Sequence, residues 1–247
     1  MSAPFEFIKQ KLRAFFLKGG NVFCNVCENS FLTFLPAGDE PRAHTRCPGC
    51  LSIDRQRQLW HVVKPNIMPQ TRVLHISPEK GLSSRIRKIN GIAYYAIDYF
   101  TEGYNYPSYV QRMSLLDLKF ENNAFDLIIC SHVLEHIQED NQAIKELFRV
   151  LYNKGICYII VPLFEELSET YENPNITLQK DRIKHFGQHD HVRKYGLDIQ
   201  DKFKKMGFEV NRTTGVEDMT QNEKLKYGFL NAEQIFELRK ITPLWVF

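Results

Sequence analysis

The sequence predicts an α/β protein: a doubly wound, mostly parallel sheet preceded by a small four-cysteine module. Three observations carry this. From Thr71 onward, short apolar runs alternate with amphipathic stretches, the pattern of strand–helix–strand units. Residues 125–137, Phe-Asp-Leu-Ile-Ile-Cys-Ser-His-Val-Leu-Glu-His-Ile, are apolar from Leu127 to Cys130 and turn polar at Ser131 and His132. A buried strand reads this way where it releases its chain, and ligands of open α/β sheets bind outside such carboxyl ends. Two Cys-x-x-Cys pairs, Cys24/Cys27 and Cys47/Cys50, stand nineteen residues apart.

Composition narrows the class. The 247 residues suffice for one large domain or two unequal ones. The 43% hydrophobic and 25% charged fractions are ordinary for a globular chain. A net charge of +3 is too small to argue for nucleic acid. No run of eighteen apolar residues predicts a transmembrane helix, and no small-residue cleavage site follows an apolar N-terminal core. The expected compartment is cytoplasmic, where six cysteines are read as metal ligands and buried thiols rather than disulfides.

Taken in order, residues 1–20 form an N-terminal amphipathic helix. Phe5, Ile8, Leu12, Phe15 and Phe16 make its apolar stripe, with Lys9, Lys11, Arg13 and Lys18 around it. Gly19 and Gly20 stop it. A membrane-surface helix carries the same stripe, but packing on the body of its own protein is the simpler expectation. A second subunit could cover it equally, giving a homodimer. Residues 21–66 hold the cysteine pairs and a following helix. Four thiolates at this spacing predict a closed tetrahedral Zn²⁺ site on Cys24, Cys27, Cys47 and Cys50, structural because no coordination position stays open. Arg42, Arg46, Arg55 and Arg57 lie in or beside this ribbon and could grip phosphates. A metal-stapled cap is the preferred reading, since so small a segment has little core of its own. Ser52 is placed to cap the helix of Ile53, Gln56, Trp60 and Val63. Residues 70–247 form the main domain. Strands are expected at Arg72–Ile76, Ile92–Ile97, Phe125–Cys130 and Ile156–Val161. Helices are expected on Leu82, Ile86 and Ile89 and on Ile144, Leu147, Phe148 and Leu151. Cys130 and Cys157 fall inside strands and read as buried thiols.

Asp98 ends the second of these strands, about twenty residues past the turn after the first, where a nucleotide-binding α/β fold places an acid on ribose hydroxyls. With residues 117–137 and Leu147-Phe-Arg-Val-Leu-Tyr-Asn-Lys-Gly-Ile, the chain from Thr71 to Lys240 resembles a class I S-adenosylmethionine-dependent methyltransferase. More narrowly, it resembles a subgroup with an N-terminal four-cysteine ribbon, to which Phe186-Gly-Gln-His-Asp-His-Val-Arg-Lys-Tyr-Gly also belongs. The resemblance implies a Rossmann-like seven-stranded sheet whose last strand, near Glu233–Lys240, runs antiparallel. It implies S-adenosylmethionine as cofactor, with Ser77, Glu79, Gly81, Asp98, Ser114, Asp117, Ser131 and His132 facing it. The family's first-strand acid is replaced by His75, and its glycine turn by Ser77, Pro78, Glu79 and Gly81. Glu79 could take over the pairing with the cofactor's ammonium.

Methyl transfer needs alignment of the acceptor with an activated methyl. A hydroxyl acceptor also needs a base, for which histidine suits neutral pH. His189 and His191 are the first candidates and His132 the next. Glu135, His136, Asp190, Arg193 and Tyr195 are expected to contact the acceptor, with Arg193 suited to an acidic group. A His-x-His pair could instead chelate a metal. The expected reaction is O- or N-methylation of a small-molecule or glycan-like acceptor. Two other readings stand beside it: an RNA methyltransferase that grips phosphates through the ribbon, and a non-catalytic binding module on the same fold.

Overall fold

A computed structural model describes residues 3–38, 41–101 and 105–241, with the backbone alone described for residues 3–7. The chain divides into two compact units, neither contiguous in sequence. Residues 1–66, 79–90 and 214–233 make the first; residues 67–78, 91–213 and 234–247 make the second.

In the first unit, helix α1 (Ala3–Phe16) leads into strands β1 (Lys18–Cys24), β2 (Asn29–Phe31), β3 (Leu35–Ala37) and β4 (Arg42–Arg46). The strands form two antiparallel hairpins, β1 with β2 and β3 with β4. Gly19 and Gly20 sit inside β1 rather than merely ending α1. A Cβ at Gly19 would strike the Leu32 side chain, so packing requires the glycine. The apolar stripe departs from expectation. Ile8, Leu12, Phe15 and Phe16 are exposed, Phe15 by 71%; the Phe5 side chain lies outside the described residues.

Helix α2 (Asp54–Val63) buries Trp60 and Val63. Ser52 does not cap it: Ile53 holds the cap position, and the Ser52 hydroxyl turns to the cysteine cluster. Arg57 lies wholly buried on α2. It donates to the carbonyls of Thr45, Ser52, Tyr227 and Gly228 and stacks on Phe34 at 3.9 Å. It therefore ties the ribbon to the segment around helix α7 (Gln221–Tyr227), and its guanidinium is not offered to phosphates. Helix α3 (Lys80–Ile86) belongs to this unit. A Cβ at its Gly81 would meet Ser52 at 3.2 Å, so close packing on Ser52 accounts for this glycine without a ligand.

The second unit is the predicted sheet. Its seven strands are β5 (Arg72–Ile76), β6 (Ala93–Asp98), β7 (Val110–Arg112), β8 (Phe125–Ser131), β9 (Leu151–Ile160), β12 (Phe208–Thr213) and β13 (Ile235–Lys240), in the order β12-β13-β9-β8-β5-β6-β7. Strands β9, β8, β5, β6 and β7 are parallel, whereas β13 runs antiparallel to both β9 and β12. The order reverses where β8 lies beside β5, which is where ligands bind such sheets. Leu127, Ile128, Ile129 and Cys130 of β8 are all buried, in a strand paired on one side with β5 and on the other with β9. Each such aliphatic side chain contributes roughly 1.5–3 kcal/mol relative to exposure. Helix α4 (Asp140–Val150) inserts Ala143, Ile144, Leu147 and Val150 into the same core, and α6 (Ile199–Lys205) inserts Ile199 and Phe203. Helix α5 (Gln179–Phe186) lies between the short paired strands β10 (Tyr171–Glu172) and β11 (Arg193–Lys194).

Candidate active site

Three residues that leave the parallel strands at their carboxyl ends take the left-handed conformation without being glycine: Ser77 after β5 (φ 47°), Phe100 after β6 (φ 63°) and His132 after β8 (φ 54°). Each such residue costs about 1–3 kcal/mol, a strain that concentrates at ligand sites. Asp98 closes β6, with Oδ1 accepting from the Phe100 amide at 3.0 Å. Ser114 follows β7, its hydroxyl accepting from the Leu116 amide at 3.2 Å. Asp117 is exposed and paired with Lys119. Ser131 is buried, and its hydroxyl has no hydrogen-bond partner. A carboxylate, two hydroxyls and a strained turn along one sheet edge fit the polar ribose and amino-acid ends of a nucleoside cofactor. His75 lies inside β5, buried, with Nδ1 2.9 Å from the Tyr94 hydroxyl, so it fills the core rather than this edge. In the first unit, Glu79 is the residue from which α3 starts.

Past Ser131 the chain makes a tight turn, Leu134–His136. The His132 amide still donates to the Ile160 carbonyl at 2.8 Å, extending the ladder by one bond. His132 Nδ1 lies 3.2 Å from Glu135 Oε1. Glu135 is only 1% exposed, and neither carboxylate oxygen has a hydrogen bond. Its carbonyl accepts from the Val192 amide at 2.9 Å, which draws the 188–195 segment onto the turn. The His136 and His191 rings then meet edge to face, 4.7 Å between centroids. His136 Nδ1 is 3.2 Å from Asp190 Oδ2. Burial holds the His191 imidazole below the usual histidine value. His189 stands apart, 54% exposed and 3.9 Å from Asp190.

Two expected acceptor contacts are corrected. Arg193 is 2% exposed and does not present its charge to a substrate. Its guanidinium donates to the carbonyls of Leu134, Ile137 and Gln138 and pairs with Glu172 at 2.8 Å and Asp140 at 3.4 Å. Tyr195 is also buried, donating to Asp140 Oδ2 at 2.8 Å. Both clamp the 134–138 turn. Asp140, which accepts from Lys202 at 2.6 Å as well, anchors this network. Its part was hidden in the sequence because an acid in the first turn of a helix reads as dipole compensation.

In the first unit the four cysteine sulfurs come together as the spacing predicts, with Cys24–Cys50 at 3.6 Å and Cys27–Cys47 at 3.7 Å. Four thiolates about 2.3 Å from a central Zn²⁺ sit about 3.8 Å from one another in a tetrahedron. Ser52 Oγ is 3.0 Å from Cys50 and 3.4 Å from Cys24, a second layer of polar contact.

Residues 80–159 match the profile of the methyltransferase domain. Over that segment the chain carries a methyltransferase domain. The fold is similar to the Burkholderia thailandensis 1,6-didemethyltoxoflavin N1-methyltransferase solved with S-adenosylhomocysteine (TM-score 0.50, 12% identity, 76% of this chain and 79% of that one). It is also similar to an S-adenosylmethionine-dependent methyltransferase from Mesorhizobium loti (TM-score 0.50, 11% identity, 73% of this chain and 96% of that one). A 48-residue stretch is 42% identical to the uncharacterized protein MJ0638 of Methanocaldococcus jannaschii, covering 19% of this chain and 21% of the archaeal one.

Proposed function

We propose that this methyltransferase modifies an oxygen or nitrogen of a small-molecule or glycan-like acceptor. The observation that carries the reading is the cluster His132, Glu135, His136, Asp190 and His191 at the carboxyl end of β8. S-adenosylmethionine, when bound, supplies a methyl already activated on a sulfonium. Asp98 holds the ribose hydroxyls, accepting from both. Ser114 and Asp117 flank the adenine, and Ser77, Ser131 and His132 line the methionine end. The packing of Gly81 on Ser52 accounts for that glycine without the cofactor. Alignment of the acceptor accounts for up to roughly 7–11 kcal/mol of barrier lowering.

His132 is the base this geometry favours: Glu135 Oε1 lies 3.2 Å from its Nδ1, which leaves Nε2 to take the acceptor's proton. His191, kept neutral by burial, is the alternative. His189, exposed on its loop, drops behind both. The ribbon is proposed to hold one structural Zn²⁺ and to staple its unit, a reading the internal engagement of Arg57 favours over a grip on RNA.

Calorimetry with S-adenosylhomocysteine tests the core of this reading, and binding that Asp98→Ala abolishes is expected. No binding by the wild-type chain would establish the non-catalytic alternative. His132→Ala should leave that binding intact while lowering turnover by about 10²–10⁴. Affinity for RNA falling steeply with salt would revive the RNA reading.

A further inference from the structure

We propose that Glu135, His136 and His191 form a binding site for a first-row divalent cation, distinct from the cysteine site. The proposal rests on the methyltransferase reading only for what the cation does, not for its existence. One ligand atom from each of the three residues lies within 4.8 Å of the others. Glu135 and His191 are buried, and neither Glu135 oxygen has a hydrogen bond. A carboxylate taken out of water with only the His132 ring nitrogen facing it, at 3.2 Å, is costly, and a cation among these residues removes that cost. The second layer is also present. Asp190 faces His136 Nδ1 at 3.2 Å, as a carboxylate does when it orients a metal-ligating imidazole. The Val192–Glu135 backbone bond and the Arg193 clamp hold the ligands from the two segments in register. Two imidazoles and one carboxylate suit Mn²⁺, Fe²⁺, Co²⁺ or Zn²⁺ better than Mg²⁺.

Three protein ligands leave open positions on the cation. The acceptor that fits them offers two neighbouring oxygens, as in a vicinal diol or an α-hydroxy acid. One of these oxygens, acidified by the metal, becomes the nucleophile, and His132, outside the ligand set, receives its proton. The site thus narrows the acceptor class to oxygen chelators.

The test is titration with Mn²⁺ of the full-length chain prepared with no more than one zinc per chain, which the four thiolates take first, followed by electron paramagnetic resonance, with zinc content assayed on the same samples. Mn²⁺ prefers oxygen and nitrogen donors and does not displace thiolate-bound zinc. One Mn²⁺ per chain is expected with zinc retained. Glu135→Gln and His191→Ala should each weaken binding at least tenfold, and Asp190→Asn about 10–100-fold. Should Glu135→Gln fail to fold by thermal melting, His136→Asn replaces it. Absence of Mn²⁺ binding, or binding undiminished in these variants, overturns the proposal. S-adenosylhomocysteine binding measured in parallel separates the two readings: its loss with Mn²⁺ binding kept counts against the methyltransferase reading alone, and the converse against the metal site alone.

Discussion

Arg193 illustrates what a single residue contributes here. In sequence it follows His189, Asp190 and His191 and looks like a substrate-binding cation, but burial turns it inward. Its donors satisfy the three carbonyls of the turn that carries Glu135 and His136. Removing one partner of a buried, hydrogen-bonded charge costs about 3–5 kcal/mol because the remaining groups stay dry and unpaired. Arg193→Met should therefore lower the unfolding free energy by that amount, read from the urea midpoint and slope. Arg193→Lys should recover little, since an ammonium lacks the planar fork that reaches several carbonyls at once. A midpoint unchanged in Arg193→Met would return Arg193 to the candidate substrate contacts.

At the scale of elements, the ribbon and the loop before β8 make separate predictions. If the four cysteines hold the proposed zinc, chelating it, or introducing Cys47→Ser, should unfold the first unit's hairpins, because two short strand pairs have little core without the staple. Loss of one zinc per chain and a lowered melting temperature are the readouts. Gly228, at φ 70°, leaves no room for a side chain: a Cβ there would lie 2.7 Å from the Phe34 ring. Gly228→Ala should cost more than the ~1 kcal/mol of left-handed strain alone, measurable by denaturant melts. In the second unit, Glu146 accepts from Arg149 Nη2 at 2.7 Å and from the Leu118 amide at 2.8 Å, and Arg149 donates to the carbonyls of Leu118 and Phe120. This pair holds the loop that feeds β8.

For the molecule as a whole, the same pair sets a pH response. Arg149 holds the Glu146 carboxyl below the usual range, and Arg72 does the same for Asp126. A depressed folded-state value means the stabilisation is fully present above the unfolded value, near pH 4, and is lost as pH falls through the folded value. Melting temperature should thus hold between about pH 5 and 7 and fall below about pH 4. The Asp126→Asn, Glu146→Gln double variant should start lower and show a flatter acid limb. The exposed stripe of α1 makes a further prediction. Ile8, Leu12, Phe15 and Phe16 form an apolar face of the kind a second copy covers. Phe15→Ser with Phe16→Ser should shift sedimentation toward monomer if α1 forms a dimer; an unchanged profile would argue against a dimer through this face. Among the described residues, no helix is long and apolar enough to cross a membrane.

The sequence alone determined the alternation of strands and helices, the strand ending at Ser131, the acid at the end of β6 and the meeting of four cysteines. These follow from periodicity and short-range spacing, which act along the chain. Tertiary structure alone decided which polar groups share a site. In sequence His191 groups with His189, two positions away, yet it packs on His136, far back in the chain. Arg193 and Tyr195 look like exposed chemistry in the sequence and are buried ties in the fold. Ser52 stands where a helix cap is expected and faces sulfur. Each depends on which surface folds over which, a long-range outcome of apolar burial that local pattern does not encode.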